Sequence, residues 1–368
     1  MPTSKRLVEF DILRAIAIFW VILIHIIGNS FHFWKEDSVT WTVFISMDQF
    51  FRVSVPLFVF ISGYSLYSKY KENIKYWAFY QKRAARVLPW YIVWSLIIYI
   101  YIHITAPRGY VDYPTWKLIF LGKVDYHLYF VSMIFQLYLL FPGLLWLYKK
   151  FRSNFVFLLF IFETILYLIF SLDGQKIINL PWRFYEQQQY LFFGTWIFYF
   201  VFGFFLADKA PGGTKLNMIK HGFYTKRVWF FLITLAILAY SIYNSLQLIS
   251  STADTNIATR STRIPVLLYS TSFIITTLVY SDILLKIKKN ALWMLLYFSK
   301  ISFLVYLIHA LMIRILGNFI LPNSVLNLII FTVLVLSLSV FFAQVSLSVA
   351  GLITLNRVKG FYDSLLGK

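Results

Sequence analysis

The chain has 368 residues, 60% of them hydrophobic and only 13% charged, which excludes a soluble domain because most of the chain needs a solvent other than water. The absence of Cys excludes disulfides, Cys-ligated zinc and a Cys nucleophile. The net charge of +19 does not indicate nucleic acid as a partner, because the basic residues interrupt hydrophobic runs instead of forming a water-exposed basic face.

Apolar runs of roughly 20 residues recur along the chain, and a helix of about that length crosses the hydrocarbon layer of a membrane. Strands of an outer-membrane barrel would show short alternating segments instead. The sequence therefore predicts an all-α, polytopic membrane helix bundle of about ten transmembrane helices, with nine or eleven as alternatives, in a single domain over residues 1–368. The predicted spans are residues 8–31, 43–67, 87–106, 127–148, 154–172, 190–208, 228–249, 264–285, 297–317 and 324–354.

Lys and Arg are distributed unequally between the two sides of this layout. The segments on the side of the N-terminus, together with Lys300 just inside the ninth predicted span, carry 23 of the 34 Lys and Arg residues, and the segments on the opposite side carry 8. Cytoplasmic loops hold an excess of both residue types. The sequence therefore predicts that both termini are cytoplasmic and that the number of crossings is even.

Three ionisable residues lie inside the first predicted span, where such groups are costly and usually face protein or a water-filled cavity. Asp11 and Arg14 are three residues apart, and His25 follows Arg14 by eleven. At about 100° per residue all three lie on one stripe, with His25 about 16 Å along the helix from Arg14. The stripe favours function over the alternative, in which Arg14 reaches the inner headgroups, Asp11 pairs with it and His25 bonds a neighbouring helix.

Asp48 and Arg52 form an i, i+4 pair inside the second predicted span. Asp48 is predicted to form a structural salt bridge. Arg52 has two interpretations, a structural one and a place in a pocket for an acyl group or a glycan. Three further residues of this span, Pro56 and the neighbouring pair Ser62 and Gly63, allow the helix to bend and to pack closely against another helix.

Residues 68–86 mix aromatic side chains with cations, which predicts an amphipathic helix at the cytoplasmic membrane surface. Arg83 and Arg86 lie three residues apart at its end, just before Pro89, which is predicted to open the third span. Two guanidinium groups at this spacing suit phosphate or pyrophosphate, because each donates two parallel hydrogen bonds. The alternative for the pair is the general excess of basic residues on the cytoplasmic side.

Three further ionisable residues fall in later predicted spans. Glu163 lies in the fifth span, and His309 and Arg314 lie in the ninth. Ionisable groups within membrane helices are candidates for function. Structural roles are favoured for all three, and His309 is the strongest functional candidate among them.

Taken in order, these segments resemble the acyltransferase family 3 of integral-membrane O-acyltransferases. The resemblance covers residues 6 to about 313, nearly the whole chain. Tyr129 departs from the pattern, because many relatives have Trp at this position. The similar segments are Arg6 with FDILRAIAIFWVILIH, which includes the spacing from Arg14 to His25, RVSVPLFVFISGYSLY from Arg52, KRAARVLPWY with Arg83 and Arg86, HLYFVSMIFQLYLLFP from His127, and SFLVYLIHALMI from Ser302.

The resemblance implies an O-acyltransferase of the bacterial cytoplasmic membrane, with cytoplasmic acyl-CoA as co-substrate, no permanently bound cofactor and no metal. The acceptor is a hydroxyl of a cell-surface or lipid-linked carbohydrate. His25 is the implied general base, with acyl-His as the alternative. Arg14 and Asp11 fix the lower part of a channel, and Arg83 and Arg86 hold the CoA phosphates. A pocket for the acceptor, or a structural pocket, is formed by Arg52, Asp48, His309, His127 and Ser62.

Within the family, the short form without a fused extracytoplasmic domain is most similar to enzymes that O-acetylate surface polysaccharides and to the membrane protein of poly-N-acetylglucosamine operons. The main alternative function is a polysaccharide exporter, which also needs buried charges along a central pathway. A third is a non-catalytic membrane scaffold. Acetyl is the favoured acyl group and succinyl the alternative. The sequence leaves open the acceptor sugar, the acylated carbon and the oligomeric state.

Overall fold

The computed structural model describes residues 8–36, 38–105, 115–174, 186–209, 226–252, 254–284 and 286–365, and within these ranges the chain is helical with no strand. The helices are α1 Val8–Ser30, α2 Val39–Phe51, α3 Ser54–Tyr70, α4 Tyr76–Thr105, α5 Thr115–Phe120, α6 Tyr129–Gly174, α7 Glu186–Leu191, α8 Ile197–Lys209, α9 Arg227–Thr252, α10 Thr255–Ala258, α11 Ile264–Val279, α12 Ser281–Leu284, α13 Lys289–Gly317 and α14 Val325–Leu365.

Helix length and composition confirm an all-α, multi-pass membrane bundle. Seven helical segments among the described residues are long and apolar enough to cross a membrane, and the count of ten and the cytoplasmic termini stay predictions. The seven are Val8–Phe33, Val39–Tyr70, Tyr76–Thr105, Tyr129–Leu172, Arg227–Thr252, Lys289–Gly317 and Val325–Leu352.

The remaining predicted spans correspond to one long helix and two short ones. The segment Tyr129–Leu172 has 44 residues, about 66 Å of helix, which is twice the thickness of the hydrocarbon layer. Its backbone departs from helical geometry at Arg152, where φ is 51° and ψ is −126°, between the predicted spans 127–148 and 154–172. Helices α8 and α11, with 13 and 16 residues, occupy two further predicted spans.

The predicted role of Pro89 at the start of a helix is wrong. Helix α4 begins at Tyr76 and continues to Thr105 with Pro89 in its interior, so Pro89 does not open the helix. Proline removes one backbone hydrogen bond, which membrane helices tolerate because neighbouring groups can satisfy the freed carbonyl. Residues 76–86 are the first turns of this helix, and their location at the cytoplasmic membrane surface stays a prediction.

Helix α1 lies at the centre of the bundle, packed against α2, α3 and α13. Its apolar side chains Ile12, Ala17 and Ile22 are fully buried. Helix α9, in contrast, exposes Phe231, Leu235 and other large apolar side chains along its outer face. A helix surrounded by protein can hold charged side chains away from lipid, and α1 is the helix that carries Asp11, Arg14 and His25.

Helices α3 and α8 approach each other at two glycines. A Cβ atom added to Gly63 would lie 2.0 Å from the backbone oxygen of Phe200. A Cβ atom added to Gly203 would lie 2.5 Å from the backbone oxygen of Phe60. The two helices therefore pack through backbone contacts that only glycine permits, as is common in membrane bundles.

We expect Gly63→Ala to lower the free energy of unfolding by about 1–3 kcal/mol, because the added methyl group must push two backbones apart. Gly143→Ala is the matched control, since a Cβ atom at Gly143 has no neighbour within 4 Å. The measurement is thermal unfolding of both purified variants in one detergent. Equal midpoints for the two variants would show that the α3–α8 contact is looser than described.

Candidate functional site

Three histidines from distant parts of the chain meet inside the bundle. His25 lies on α1, His127 just before α6 and His309 on α13. The ring centroids of His25 and His309 are 5.3 Å apart and nearly parallel, and those of His127 and His309 are 5.0 Å apart. We call these three residues the histidine cluster. Its members were predicted separately from the sequence, and the structure brings them together.

The three imidazoles differ in accessibility. His127 and His309 are buried, whereas His25 is half-buried and retains accessible surface. His25 turns towards protein, because its ring also contacts Tyr126 at 4.8 Å between centroids. His25 is the most exposed member of the cluster.

Backbone carbonyls fix the two buried rings. The Nδ1 atom of His309 lies 2.6 Å from the backbone oxygen of Tyr306, and a carbonyl only accepts, so Nδ1 carries the proton. The Nε2 atom of His309 then has a lone pair and makes no hydrogen bond to the described residues. His127 places Nε2 3.3 Å from the oxygen of Leu307, and the Tyr306 hydroxyl donates to the backbone oxygen of His127.

An ion pair borders the histidine cluster. Arg314 donates from Nε to Asp125 Oδ2 at 3.0 Å and from Nη2 to Asp125 Oδ1 at 2.5 Å, a bidentate contact. Asp125 Oδ2 also lies 3.9 Å from His127 Nδ1. Burial raises the pKa of the Asp125 carboxyl, but the hydrogen bonds of Arg314 and the nearby charges outweigh burial and lower it below its usual range. Asp125 is therefore ionised at neutral pH.

Sequence reasoning missed Asp125 and Tyr126, although both directly precede His127. Tyr126 lies between His25 and Arg314, whose guanidinium carbon is 5.7 Å from the Tyr126 ring centroid. The available signal was the sequence DYH, in which two polar residues and a tyrosine open an apolar helix. Arg314, which was predicted to be structural, pairs with Asp125, and the sequence does not indicate this contact.

Asp11 and Arg14 tie the opposite end of α1 to its neighbours. Arg14 donates from Nη1 to Asp11 Oδ1 at 3.2 Å and from Nη2 to Ser65 Oγ at 3.1 Å. Ser299 Oγ donates to Asp11 Oδ1 at 3.2 Å. A cavity of about 270 Å³ adjoins Asp11 and Lys300. Asp11 and Arg14 form the ion pair of the structural alternative, their functional role stays a prediction, and the pair links α1 to α3 and α13.

Asp48 and Arg52 form the predicted salt bridge at the break between α2 and α3. Arg52 donates from Nε to Asp48 Oδ2 at 2.9 Å and from Nη2 to Asp48 Oδ1 at 2.6 Å. Gln49 donates to the same carboxylate and accepts from Ser241 on α9. Arg52 also lies within electrostatic range of His25, and its place in a pocket stays a prediction.

Arg263 is a buried cation that sequence reasoning missed. Its Nη1 atom donates to Ser245 Oγ at 2.7 Å, and its Nη2 atom contacts the side-chain oxygen of Asn244. These contacts hold the start of α11 against α9. The signal for Arg263 was weak, because it lies in a loop between predicted spans and resembles an ordinary interfacial cation.

The two arginines of the KRAAR segment differ in environment. Arg83 is half-buried, and its guanidinium carbon lies 5.8 Å from the Phe79 ring centroid and 5.9 Å from that of Tyr138. Arg86 is exposed. A guanidinium held between two aromatic rings is oriented in advance for an anion, and Arg86 can approach the same anion from solvent.

Ser62, which was predicted to lie in the acceptor pocket or in a structural pocket, is half-buried on α3.

Glu163 has the structural role that the sequence favoured. Its Oε2 atom accepts a hydrogen bond from the backbone N–H of Phe198 at 3.0 Å, in the first turn of α8. A carboxyl oxygen at a helix N-terminus satisfies a free N–H group. Tyr167, one turn further along α6, donates to the backbone oxygen of Thr195 at 2.9 Å.

A cavity of about 540 Å³ opens at the C-terminal end of α1, and we call it the distal cavity. It lies on the far side of the histidine cluster from Asp11. Its wall combines amides, hydroxyls and aromatic rings with one guanidinium. The polar and aromatic members of the wall are Asn29, His32, Phe33, Tyr101, Thr105, Arg314, Asn318 and Phe331.

Comparison with known proteins gives one match. A family model described as an acyltransferase domain matches residues 7–345, which is nearly the whole chain. No curated protein and no solved structure matches. The matched range includes the histidine cluster, the three ion pairs described above and the KRAAR segment.

Proposed function

The chain belongs to the acyltransferase family 3, and on that premise we propose that it moves an acyl group from cytoplasmic acyl-CoA to a hydroxyl of a cell-surface or lipid-linked carbohydrate. Acetyl is the proposed acyl group, and the membrane is the bacterial cytoplasmic membrane. The observation that carries the proposal is His25, an accessible imidazole inside the bundle between His309 and Tyr126.

His25 serves as the general base. A neutral imidazole takes the proton of the acceptor hydroxyl while the hydroxyl oxygen forms a bond to the thioester carbonyl carbon. The carbon–sulfur bond then breaks, the CoA sulfur leaves with the bonding electrons, and the proton held by His25 neutralises the thiolate. The reaction thus yields an ester and free CoA without a covalent enzyme intermediate.

Arg14 orients the donor in this proposal. Eleven residues of helix separate it from His25, about 16 Å, so its guanidinium is too far away to stabilise charge at a carbonyl beside His25. Its contacts with Asp11 and Ser65 hold it near the end of α1 where the donor enters. Asp11 acts as a positioning residue through Arg14.

Arg83 and Arg86 hold the CoA phosphates. We expect Arg83→Ala and Arg86→Ala each to raise KM for acetyl-CoA about tenfold with little change in kcat, since each removes a charge-assisted hydrogen bond made before the reaction. Lys82→Ala is the control, because Lys82 is an exposed cation beside the pair. A fall in kcat with unchanged KM would place the two arginines elsewhere in the mechanism.

Purified protein with radiolabelled acetyl-CoA tests the proposed function. A transferase releases free CoA and labels an acceptor glycan. A polysaccharide exporter, the alternative function, moves glycan without consuming the donor. Mass spectra of the surface glycan from cells with and without the protein should differ by one acetyl unit, and a difference of one succinyl unit would change the acyl group but keep the reaction.

A further inference from the structure

Tyr126 carries a buried hydroxyl that the mechanism above does not use. The Tyr126 Oη atom makes no hydrogen bond to the described residues, although it is shielded from solvent. An unsatisfied buried hydroxyl costs free energy, so its persistence beside a functional group needs an explanation. Burial and the charge of Asp125 raise the pKa of Tyr126, so the phenol stays protonated and remains a donor.

The position of Tyr126 connects two parts of the site. Its ring contacts His25 at 4.8 Å on one side and the Arg314 guanidinium at 5.7 Å on the other. Asn29 lies beside the Tyr126 hydroxyl without the geometry of a hydrogen bond. Asn29 and Arg314 both line the distal cavity. Tyr126 therefore lies next to a residue of the cavity wall, Arg314, and next to the imidazole of His25.

The wall of the distal cavity indicates the chemistry of its ligand. Arg314 is its charged lining residue among those described, and Asp125 neutralises it through a bidentate contact. Amide and hydroxyl groups of Asn29, Thr105 and Asn318 stand at exposed positions of the mouth. Aromatic rings supply apolar faces, and pockets with a few polar groups among apolar ones typically bind ligands at volumes of about 300–1,000 Å³.

We propose that the distal cavity binds the acceptor as an uncharged, polyhydroxylated segment, with Tyr126 donating a hydrogen bond that holds it against His25. The proposal rests on the proposed function, because it assigns the acceptor of that reaction to this cavity. Donor and acceptor then approach His25 from opposite ends of α1. Arg314 and Asp125 position Tyr126 and the cavity wall.

The lack of Cys in the chain allows a direct test. Asn318→Cys and Thr105→Cys place single thiols at the cavity mouth, and Val39→Cys is the control, an 82% exposed residue outside the cavity lining. Intact cells are treated with a bulky, membrane-impermeant thiol reagent. Labelling of each thiol and acylation of the surface glycan are then measured by mass spectrometry.

We expect both cavity thiols to be labelled in intact cells and glycan acylation to fall about tenfold or more after labelling, while labelled Val39→Cys keeps normal acylation. Labelled cavity variants with unchanged acylation would overturn the assignment. Labelling only after permeabilisation would also overturn it, because the cavity would then face the cytoplasm. Cells with the unmodified chain that acylate no glycan would instead refute the proposed function itself.

Tyr126→Phe tests the hydrogen bond. It removes one oxygen atom and leaves the ring contacts with His25 in place. Loss of one neutral hydrogen bond is expected to raise KM for the acceptor about tenfold at an unchanged KM for acetyl-CoA. A purely structural hydroxyl would leave both KM values unchanged or lower thermal stability, and either result without an acceptor effect would remove Tyr126 from the site.

Discussion

Replacing His25 with Ala is expected to abolish acyl transfer. A positioned general base contributes about 10²- to 10⁴-fold to a rate, and no other imidazole of the cluster can replace it because His127 and His309 are buried. The measurement is release of free CoA from radiolabelled acetyl-CoA in the presence of acceptor glycan. His25→Gln should be equally inactive, since an amide keeps polarity but cannot take a proton.

His103→Ala is the matched control for His25. His103 is exposed on α4 and stacks on Tyr99 at 5.8 Å between ring centroids, away from the cluster. Both variants must insert in the membrane at the level of the unmodified chain. Turnover retained in His25→Ala at normal protein level would exclude His25 as the base and would leave the cluster a structural one.

Asp125→Asn is expected to destabilise the bundle and to reduce transfer strongly. The Asp125 side chain is fully buried, so its loss of charge leaves the Arg314 guanidinium without its bidentate partner. Breaking a buried ion pair costs about 3–5 kcal/mol, and one-third exposure of Arg314 places the expected loss near the lower figure, about 3 kcal/mol. The measurement is thermal unfolding in detergent together with the transfer rate.

The double variant Asp125→Asn with Arg314→Gln separates charge from shape. Removing both charges should recover part of the lost stability, because no unpaired charge remains, and the cycle of single and double variants gives the coupling energy. Additive losses would show that the two residues act independently.

Because the pKa of Asp125 is lowered in the folded protein, the ionised carboxylate stabilises the fold. This contribution to stability is fully present above the ordinary pKa of about 3.9 and is lost as the pH falls through the lowered pKa.

The helices were predictable because apolar length is a property of the sequence itself. Each predicted span overlaps a helix, and the central, charged α1 begins and ends within one residue of its prediction. The start of α4 was not predictable from hydropathy. Aromatic and basic residues from Tyr76 to Arg86 form the first turns of the helix that the apolar run continues, whereas in soluble helices a proline such as Pro89 favours the first turn.

The site was predictable only in part, since spacing places residues on one helix but not on neighbouring ones. The stripe of Asp11, Arg14 and His25 follows from helix geometry alone. The meeting of His25 with His127 and His309 needs the packing of α1 between its neighbours, which no local pattern specifies. The position of Tyr126 in the site was not predictable, because a tyrosine at the edge of an apolar run is also the usual interfacial anchor.

The hydrogen bond from the start of α8 to the Glu163 side chain bears on the order in which the helices insert into the membrane. Helix α8 has 13 residues, fewer than the roughly 20 that cross a bilayer unaided, and an unmet N–H group in hydrocarbon costs several kcal/mol. Glu163 is synthesised before Phe198, so the acceptor for the backbone N–H group of Phe198 precedes α8 into the membrane. We therefore expect α8 to insert after α6 and to pack against it.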